Sequence, residues 1–178
     1  MSASRSVGEV AMQQRDGHRL RRGETHPMSE AETTNKAAAR RFIEEVWNKG
    51  NLAVIDELTA PGAVTHDPNN PNTAPGPEGT RQLVSLYRQA FPDVHFTLED
   101  VLAEGDKVVT RVTATGTHQR DLPGVPATGK RASVQGVSIA RYENGKVVES
   151  WTSFDFLGLF QQLGVIPKIG AVPTAAKS

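Results

Sequence analysis

The stretch RYENGKVVESW, residues 141–151, carries the strongest structural signal in this chain. Asn144-Gly145 is a dipeptide that a two-residue type I′ turn favours, and residues of alternating polarity flank it on both sides. The sequence therefore predicts a β-hairpin whose strands run over 130–142 and 146–154. Because side chains alternate along a strand, the two faces of this hairpin are expected to differ in character.

Outward from the hairpin, the hydrophobic period is two in the second half of the chain and 3.6 in the first. Further strands are predicted at 94–99 and 108–118, and a short one at 63–68. Three α-helices are predicted before them, the first starting at a capping box formed by Ser29 and Glu32. This order indicates an α+β domain, in which a curved antiparallel sheet wraps around the N-terminal helices as a cone. A small-molecule pocket is expected between the sheet and the helices.

Composition argues against several classes of protein. The 20 basic and 20 acidic residues cancel, so the basic excess typical of nucleic-acid binding is missing. The sequence has no cysteine, no helical pair of metal-binding histidines and no glycine-rich phosphate loop, so we expect neither a metal nor a nucleotide. No apolar stretch is long enough for a membrane span or a signal peptide, and we expect a cytoplasmic protein.

The chain is long enough for one domain with a sizeable core. Residues 1–28 contain few large apolar side chains, which predicts a disordered N-terminal tail. The domain is expected over 29–167 and a flexible C-terminal tail over 168–178. A misplaced start, with Met28 as the true first residue, explains the N-terminal tail more simply than a regulatory or targeting role.

Four segments carry a resemblance to a known family: AFPDVHFTLEDVLAEGDKVVTRVTATGTHQ, GVPATGK, RYENGKVVESW and DFLGLFQQLG. In this order and spacing, across residues 34–167, the chain resembles the SnoaL-like polyketide cyclases, also called predicted ester cyclases. These belong to the ketosteroid-isomerase-like, nuclear-transport-factor-like superfamily. The resemblance implies a cone-shaped α+β barrel, cofactor-independent chemistry on hydrophobic polyketide-like substrates, and a homodimer or higher homo-oligomer.

The resemblance also implies a reaction and a place for it. The best-known cyclases of the family close a ring by an intramolecular aldol reaction, with an acidic residue on the last long strand as general acid and base. Aligning DFLGLFQQLG with the family's ending puts Thr152 at that position and Ser138 at the position of a supporting histidine. Threonine has no useful pKa near neutrality, so it cannot transfer the proton as an aspartate does.

The hairpin register predicts one wall of the pocket. Counting outward from the turn, Ser138 faces Trp151 and Val134 faces Asp155, on a face of mixed polarity that suits a pocket wall. Thr152 then lies on the opposite face, and a bulge would exchange the two faces beyond it. Asp155 directly precedes the last helical segment, so capping of that helix is the alternative to a catalytic role.

Two histidines and one arginine remain as candidates. His66 stands beside Asp67, a pair that can act as a general base, although the same residues are also typical of a turn. His118 ends a strand and leads into a loop expected to cover the mouth of the cone. Arg111 could stabilise an enolate oxygen. Strict alternation puts Arg111 and His118 on opposite faces, unless Gly116 forms a bulge.

These considerations lead to one set of candidates and three functional hypotheses. The catalytic candidates are His66, His118, Asp155 and Arg111, and the substrate-binding candidates are Trp151, Tyr87, Thr152, Ser138, Asp67 and Trp47. The first hypothesis is a cofactor-independent cyclase, isomerase or lyase acting on a hydrophobic carbonyl compound by acid/base chemistry. The alternatives are a carrier that binds a hydrophobic metabolite without changing it, and a module that only assembles into oligomers.

Overall fold

The helices come mainly before the strands along residues 27–168, the part of the chain that this computed structural model describes. The elements in order are α1 (Glu30–Arg41), which continues as a π-helical segment (Phe42–Asn48), α2 (Val54–Leu58), β1 (Thr59–His66), α3 (Gly76–Ala90), β2 (His95–Glu104), β3 (Lys107–Thr117), β4 (Arg131–Glu143), β5 (Lys146–Phe154) and α4 (Phe156–Leu163). The predicted α+β class is confirmed. Most of the two predicted tails, 1–28 and 168–178, lies outside the described residues.

Helix α1 begins at the predicted capping box. The Ser29 hydroxyl accepts a hydrogen bond from the Glu32 backbone N–H at 3.1 Å, and the Ser29 N–H donates to the Glu32 carboxylate at 2.7 Å. These two bonds satisfy donors that a helix start leaves free. The helical run ends before Gly50, whose φ of +74° favours glycine.

The five strands form one open sheet in the order β1-β5-β4-β3-β2. The pairs from β2 to β5 are antiparallel, as expected, but β1 runs parallel to β5. The expectation of a purely antiparallel sheet is therefore wrong. The parallel pairing is possible because the connection from β1 to β5 is long, so the chain can return in the same direction. This connection carries no hairpin signal in the sequence.

The predicted hairpin turn is confirmed. Glu143 pairs with Lys146, and the turn residues Asn144 and Gly145 have φ values of 51° and 74°, as a type I′ turn requires.

The strand register departs from prediction immediately beyond this turn. Arg141 pairs with Glu149, so Val148 is an extra residue in β5 and forms a bulge. From there on Ser138 faces Thr152, and the predicted pairing of Ser138 with Trp151 is wrong. The bulge exchanges the two faces of β5, which brings Thr152 to the concave side and Trp151 to the outer side.

No bulge occurs at Gly116, which pairs with Ala132 in an unbroken ladder between β3 and β4. A Cβ atom at Gly116 would lie 3.2 Å from Cβ of Phe91, so the glycine lets the end of α3 approach the sheet closely. Arg111 and His118 accordingly stay on opposite faces, as strict alternation predicts.

The helices pack on the concave face of the sheet and bury two main apolar clusters. One cluster joins the end of α3 to α4 and includes Phe91 and Leu163, while the other joins α2 to α3 and includes Ile55 and Val84. Between these clusters the sheet and helices leave an open space. None of the helices within residues 27–168 has the length and apolar character needed to span a bilayer.

Candidate active site

A cavity of about 230 Å³ lies between the concave face of the sheet and helices α1 and α3. Most of its wall is apolar. Among the described residues that line it, the only side chains with a formal charge are the carboxylates of Asp67 and Asp155, and no lysine, arginine or histidine takes part. The cavity is thus an apolar space whose built-in charge is negative.

Hydroxyl groups cross the floor of this cavity in a row. Thr110, Ser138 and Thr152 are neighbours across β3, β4 and β5, and all three line the cavity. Ser138 Oγ and Thr152 Oγ1 are 3.1 Å apart and hydrogen-bonded. Beside this row, Ser150 Oγ donates to Thr65 Oγ1 at 3.3 Å. A hydroxyl both donates and accepts, so the floor can bind carbonyl or hydroxyl oxygens of a ligand.

Asp67 follows β1 directly and is 7% exposed. Its Oδ1 accepts a hydrogen bond from the Asn69 backbone N–H at 2.9 Å, and its Oδ2 accepts from Asn70 Nδ2 at 2.7 Å. Asn70 Nδ2 also lies 3.3 Å from the Tyr87 hydroxyl. A carboxylate, an amide and a phenol are therefore linked in one network on the cavity wall.

Two aromatic candidates also line the cavity. Tyr87 extends from α3, and burial raises the pKa of its phenol, so the hydroxyl stays protonated and available as a donor. Trp47 lies on the π-helical segment, where its ring packs at 4.5 Å on Phe96. Both residues line the cavity, and their substrate-binding roles stay predictions.

Asp155 lies on the cavity wall but is exposed, and it caps α4. Its Oδ1 accepts a hydrogen bond from the Gly158 backbone N–H at 2.7 Å. The capping role is therefore present in the structure, and Asp155 also lies on the cavity wall, while its catalytic role stays a prediction.

His66 and Trp151 do not line the cavity. They are paired neighbours on β1 and β5, and both point to the outer face of the sheet, where their rings stack at 5.4 Å. His66 Nε2 lies 3.0 Å from Glu149 Oε1, and this contact, with Arg141, lowers the pKa of Glu149. The predictions that Trp151 forms a pocket wall and that His66 moves a substrate proton are not supported by this placement. The Val148 bulge and strand alternation are the physical reasons.

Arg111 also points away from the cavity. Its Nε donates to Asp100 Oδ2 at 2.7 Å on the exposed side of β2 and β3. The predicted contact between Arg111 and an enolate in the cavity is therefore not available, since strand alternation turns the side chain outward.

His118 is completely buried, but behind the cavity wall. Phe91, which does line the cavity, stacks on the His118 ring at 5.1 Å. His118 Nδ1 accepts a hydrogen bond from the Thr128 backbone N–H at 3.3 Å and so ties down the loop after β3. Burial lowers the pKa of His118, whereas nearby Asp121 raises it. His118 does not lie at the mouth of the cone, where its place before the loop suggested it, because that loop folds back over the ring.

Sequence reasoning missed several polar residues of the cavity. Thr65 and Ser150 lie on the two strands that pair in parallel, and that pairing has no local signal. Asn70 lies in a loop rich in proline and asparagine, whose residues carry no periodicity. Thr110 alternates with Arg111 and could have been found by assigning the outward face to the arginine. Within residues 27–168, no group of three or more histidine, aspartate or glutamate side chains is arranged to hold a metal ion.

Comparison with known proteins places these features in context. Residues 37–163 match the family model of the SnoaL-like polyketide cyclases. Over 132 residues the chain is 32% identical to an aklanonic acid methyl ester cyclase of Streptomyces sp. strain C5, covering 70% of this chain and 78% of that protein. It is 30% identical over 120 residues to a nogalonic acid methyl ester cyclase of Streptomyces nogalater, covering 66% and 89%.

Solved structures show the same similarity. The structure of TsrD from Streptomyces laurentii superposes with a TM-score of 0.70 at 29% identity, covering 78% of this chain and 99% of that one.

Proposed function

Because the chain belongs to the SnoaL-like polyketide cyclase family, we propose that it closes a ring in a neutral, hydrophobic, polyketide-like carbonyl compound by acid/base chemistry. The observation that carries this proposal is the cavity, an apolar space with carboxylates on its wall and hydroxyls across its floor. Apolar walls suit fused rings, and the polar groups suit the oxygens that such rings carry.

The charge of the cavity supports a neutral substrate. A free carboxylate on the substrate would enter an apolar space that holds Asp67 and Asp155 and, among the described lining residues, no cation. Burial of a charge without a partner is costly, and repulsion between like charges adds to that cost. A methyl ester avoids both penalties, so we expect the ester of a substrate to be preferred over its free acid.

The proposed reaction is an intramolecular aldol addition. A cavity carboxylate takes a proton from the carbon next to one carbonyl group, and the C–H electron pair forms an enolate. The enolate carbon then attacks a second carbonyl carbon of the same molecule, which forms one C–C bond and turns the C=O group into an alkoxide. The carboxylic acid returns its proton to that alkoxide. No electrons are gained or lost, so the step needs no redox cofactor.

Donors on the cavity wall would support this reaction. Tyr87 keeps its proton, and the hydroxyls of Ser138 and Thr152 form a pair on the floor. Such groups can donate to the oxygen on which negative charge develops, and they act most strongly in a site that excludes water.

The test is turnover of a defined ester. The full chain is incubated with aklanonic acid methyl ester and, separately, with the free acid. The products are separated by chromatography, and their masses are measured by mass spectrometry. We expect a ring-closed isomer of unchanged mass from the ester and at least about tenfold less from the acid. Recovery of both compounds unchanged would contradict the proposal and favour a carrier.

Two adjacent substitutions on β4 provide a matched pair for this test. Ser138→Phe puts a ring into the cavity, whereas Val137→Phe puts the same ring on the outer face, where Val137 is 42% exposed. Binding and turnover should be lost in S138F and kept in V137F. The predicted homo-oligomer and the predicted cytoplasmic location stay predictions.

A further inference from the structure

We propose that Asp67, directly after β1, is the catalytic base of this enzyme, and that it takes the place of a carboxylate on the neighbouring strand β5. The inference rests on the proposed function, because it names the group that moves the proton. It assigns Asp67 a role beyond the substrate contact and the turn that the sequence predicts.

The strand register puts Asp67 beside Thr152. His66 and Trp151 are the last paired residues of the parallel strands β1 and β5, and both point outward. Asp67 directly follows His66 and Thr152 directly follows Trp151, and both Asp67 and Thr152 line the cavity. Adjacent strands lie about 4.8 Å apart, so a side chain on either one can serve the same point in the cavity.

The two cavity carboxylates differ in how they are held. Asp155 is exposed, and its Oδ1 is engaged by the Gly158 N–H that it caps at the start of α4. Asp67 is 7% exposed, and its side-chain partners are the neutral amides of Asn69 and Asn70. Asp67 is therefore the cavity carboxylate that is shielded from solvent, whereas the Asp155 carboxylate is solvated and engaged in capping a helix.

The network around Asp67 suits a group that alternates between two protonation states. When Asp67 is charged, Asn70 Nδ2 donates to Oδ2, and when Asp67 carries the substrate proton, Asn70 can turn its amide and accept from it. Tyr87 lies at 3.3 Å from the same amide nitrogen and lines the cavity, so it can donate to the enolate oxygen while Asp67 holds the proton. The Asn70 side chain thus positions both the base, Asp67, and the donor to the enolate oxygen, Tyr87.

A purely structural role for Asp67 is the competing explanation. Its Oδ1 accepts from the Asn69 N–H, a hydrogen bond that shapes the turn after β1. Asp67→Asn separates the two roles, because asparagine keeps the Oδ1 acceptor and the turn but cannot take a proton. Asp100→Asn is the matched control, since Asp100 is an exposed carboxylate on the outer face, paired with Arg111.

The experiment follows the full chain and its variants with aklanonic acid methyl ester in D₂O. Mass spectrometry counts deuterium taken up next to the carbonyl groups above the enzyme-free rate, and chromatography measures ring closure. We expect D67N to lower both rates by a factor on the order of 10²–10⁴, with ester binding and thermal unfolding close to the wild type, and D100N to match the wild type. Adding Thr152→Asp to D67N should raise both rates at least about tenfold above those of D67N, because the new carboxylate faces the same cavity.

The outcomes separate the two proposals. Deuterium uptake that depends on Asp67 without ring closure would support the base and contradict the cyclase. Wild-type rates retained in D67N, or a loss confined to Asp155→Asn, would overturn the assignment of Asp67. Absence of both deuterium uptake and ring closure in the wild type would overturn it as well.

Discussion

Mild acid should destabilise the protein through one buried ring. His118 is 0% exposed, and its Nδ1 accepts a hydrogen bond from the Thr128 backbone N–H at 3.3 Å. A proton on Nδ1 would break that hydrogen bond, with the Thr128 hydroxyl at 3.2 Å as the remaining partner, and would place a buried charge against the Phe91 ring. Burial lowers the pKa of His118 from 6.5, and Asp121 offsets only part of that shift.

The sign and size of the effect follow from linkage. Since the pKa of His118 is lower in the folded state, the unfolded chain takes up the proton first as the pH falls. The full His118 contribution to the free energy of unfolding is therefore present above the unfolded pKa of about 6.5 and declines as the pH drops toward the folded value. The slope from this one proton reaches at most about 1.4 kcal/mol per pH unit.

Urea unfolding at about pH 7.5, 6.5 and 5.5 measures this slope, with tryptophan fluorescence as the probe. His118→Asn keeps an acceptor for the Thr128 N–H but does not titrate, so its stability should depend less on pH than that of the wild type, although it is lower at every pH. His95→Asn, which changes an exposed histidine, should keep the wild-type slope. Equal slopes in the wild type and in H118N would show that His118 does not cause the loss of stability in acid.

Three further substitutions have defined outcomes. Ser29→Ala removes the capping box of α1 and should cost about 1 kcal/mol in the free energy of unfolding, measured in urea. Gly136→Ala puts a methyl group where the Phe154 ring lies, and calorimetry should show a loss of about 1–3 kcal/mol, whereas an unchanged melting temperature would show that the ring moves freely. Arg111→Gln breaks the exposed ion pair with Asp100, so the free energy of unfolding should change by less than about 1 kcal/mol. Turnover of the ester should stay within about twofold of the wild type. A large loss of turnover would show that Arg111 takes part in the reaction.

Local signals in the sequence predicted local structure correctly. The Asn144-Gly145 turn and the Ser29 capping box each depend on a few adjacent residues, and both are present in the structure. The α+β class likewise followed from the change of hydrophobic period along the chain, since each period reports the side chains of one element.

Predictions about the site failed where they depended on how distant strands pair. The extra residue Val148 moved Trp151 out of the cavity and Thr152 into it, and nothing in the sequence of β5 marks the bulge. The parallel register of β1 with β5 places His66 beside Trp151 on the outer face, and Asp67 follows on the cavity side. Pairing across so many intervening residues depends on the packing of the whole sheet, which a local pattern does not contain.

The parallel contact between β1 and β5 also has a consequence for the time course of folding. β1 ends at His66, and its partner strand begins only at Lys146, so this pairing closes the longest loop in the sheet. Contacts of such large sequence separation carry a high entropic cost and tend to form late. We expect the β2–β5 meander to assemble first and β1 to dock last, bringing Asp67 to the cavity as it does so. A ligand of the cavity would then bind only the finished fold, and it should slow unfolding while leaving the rate of folding unchanged.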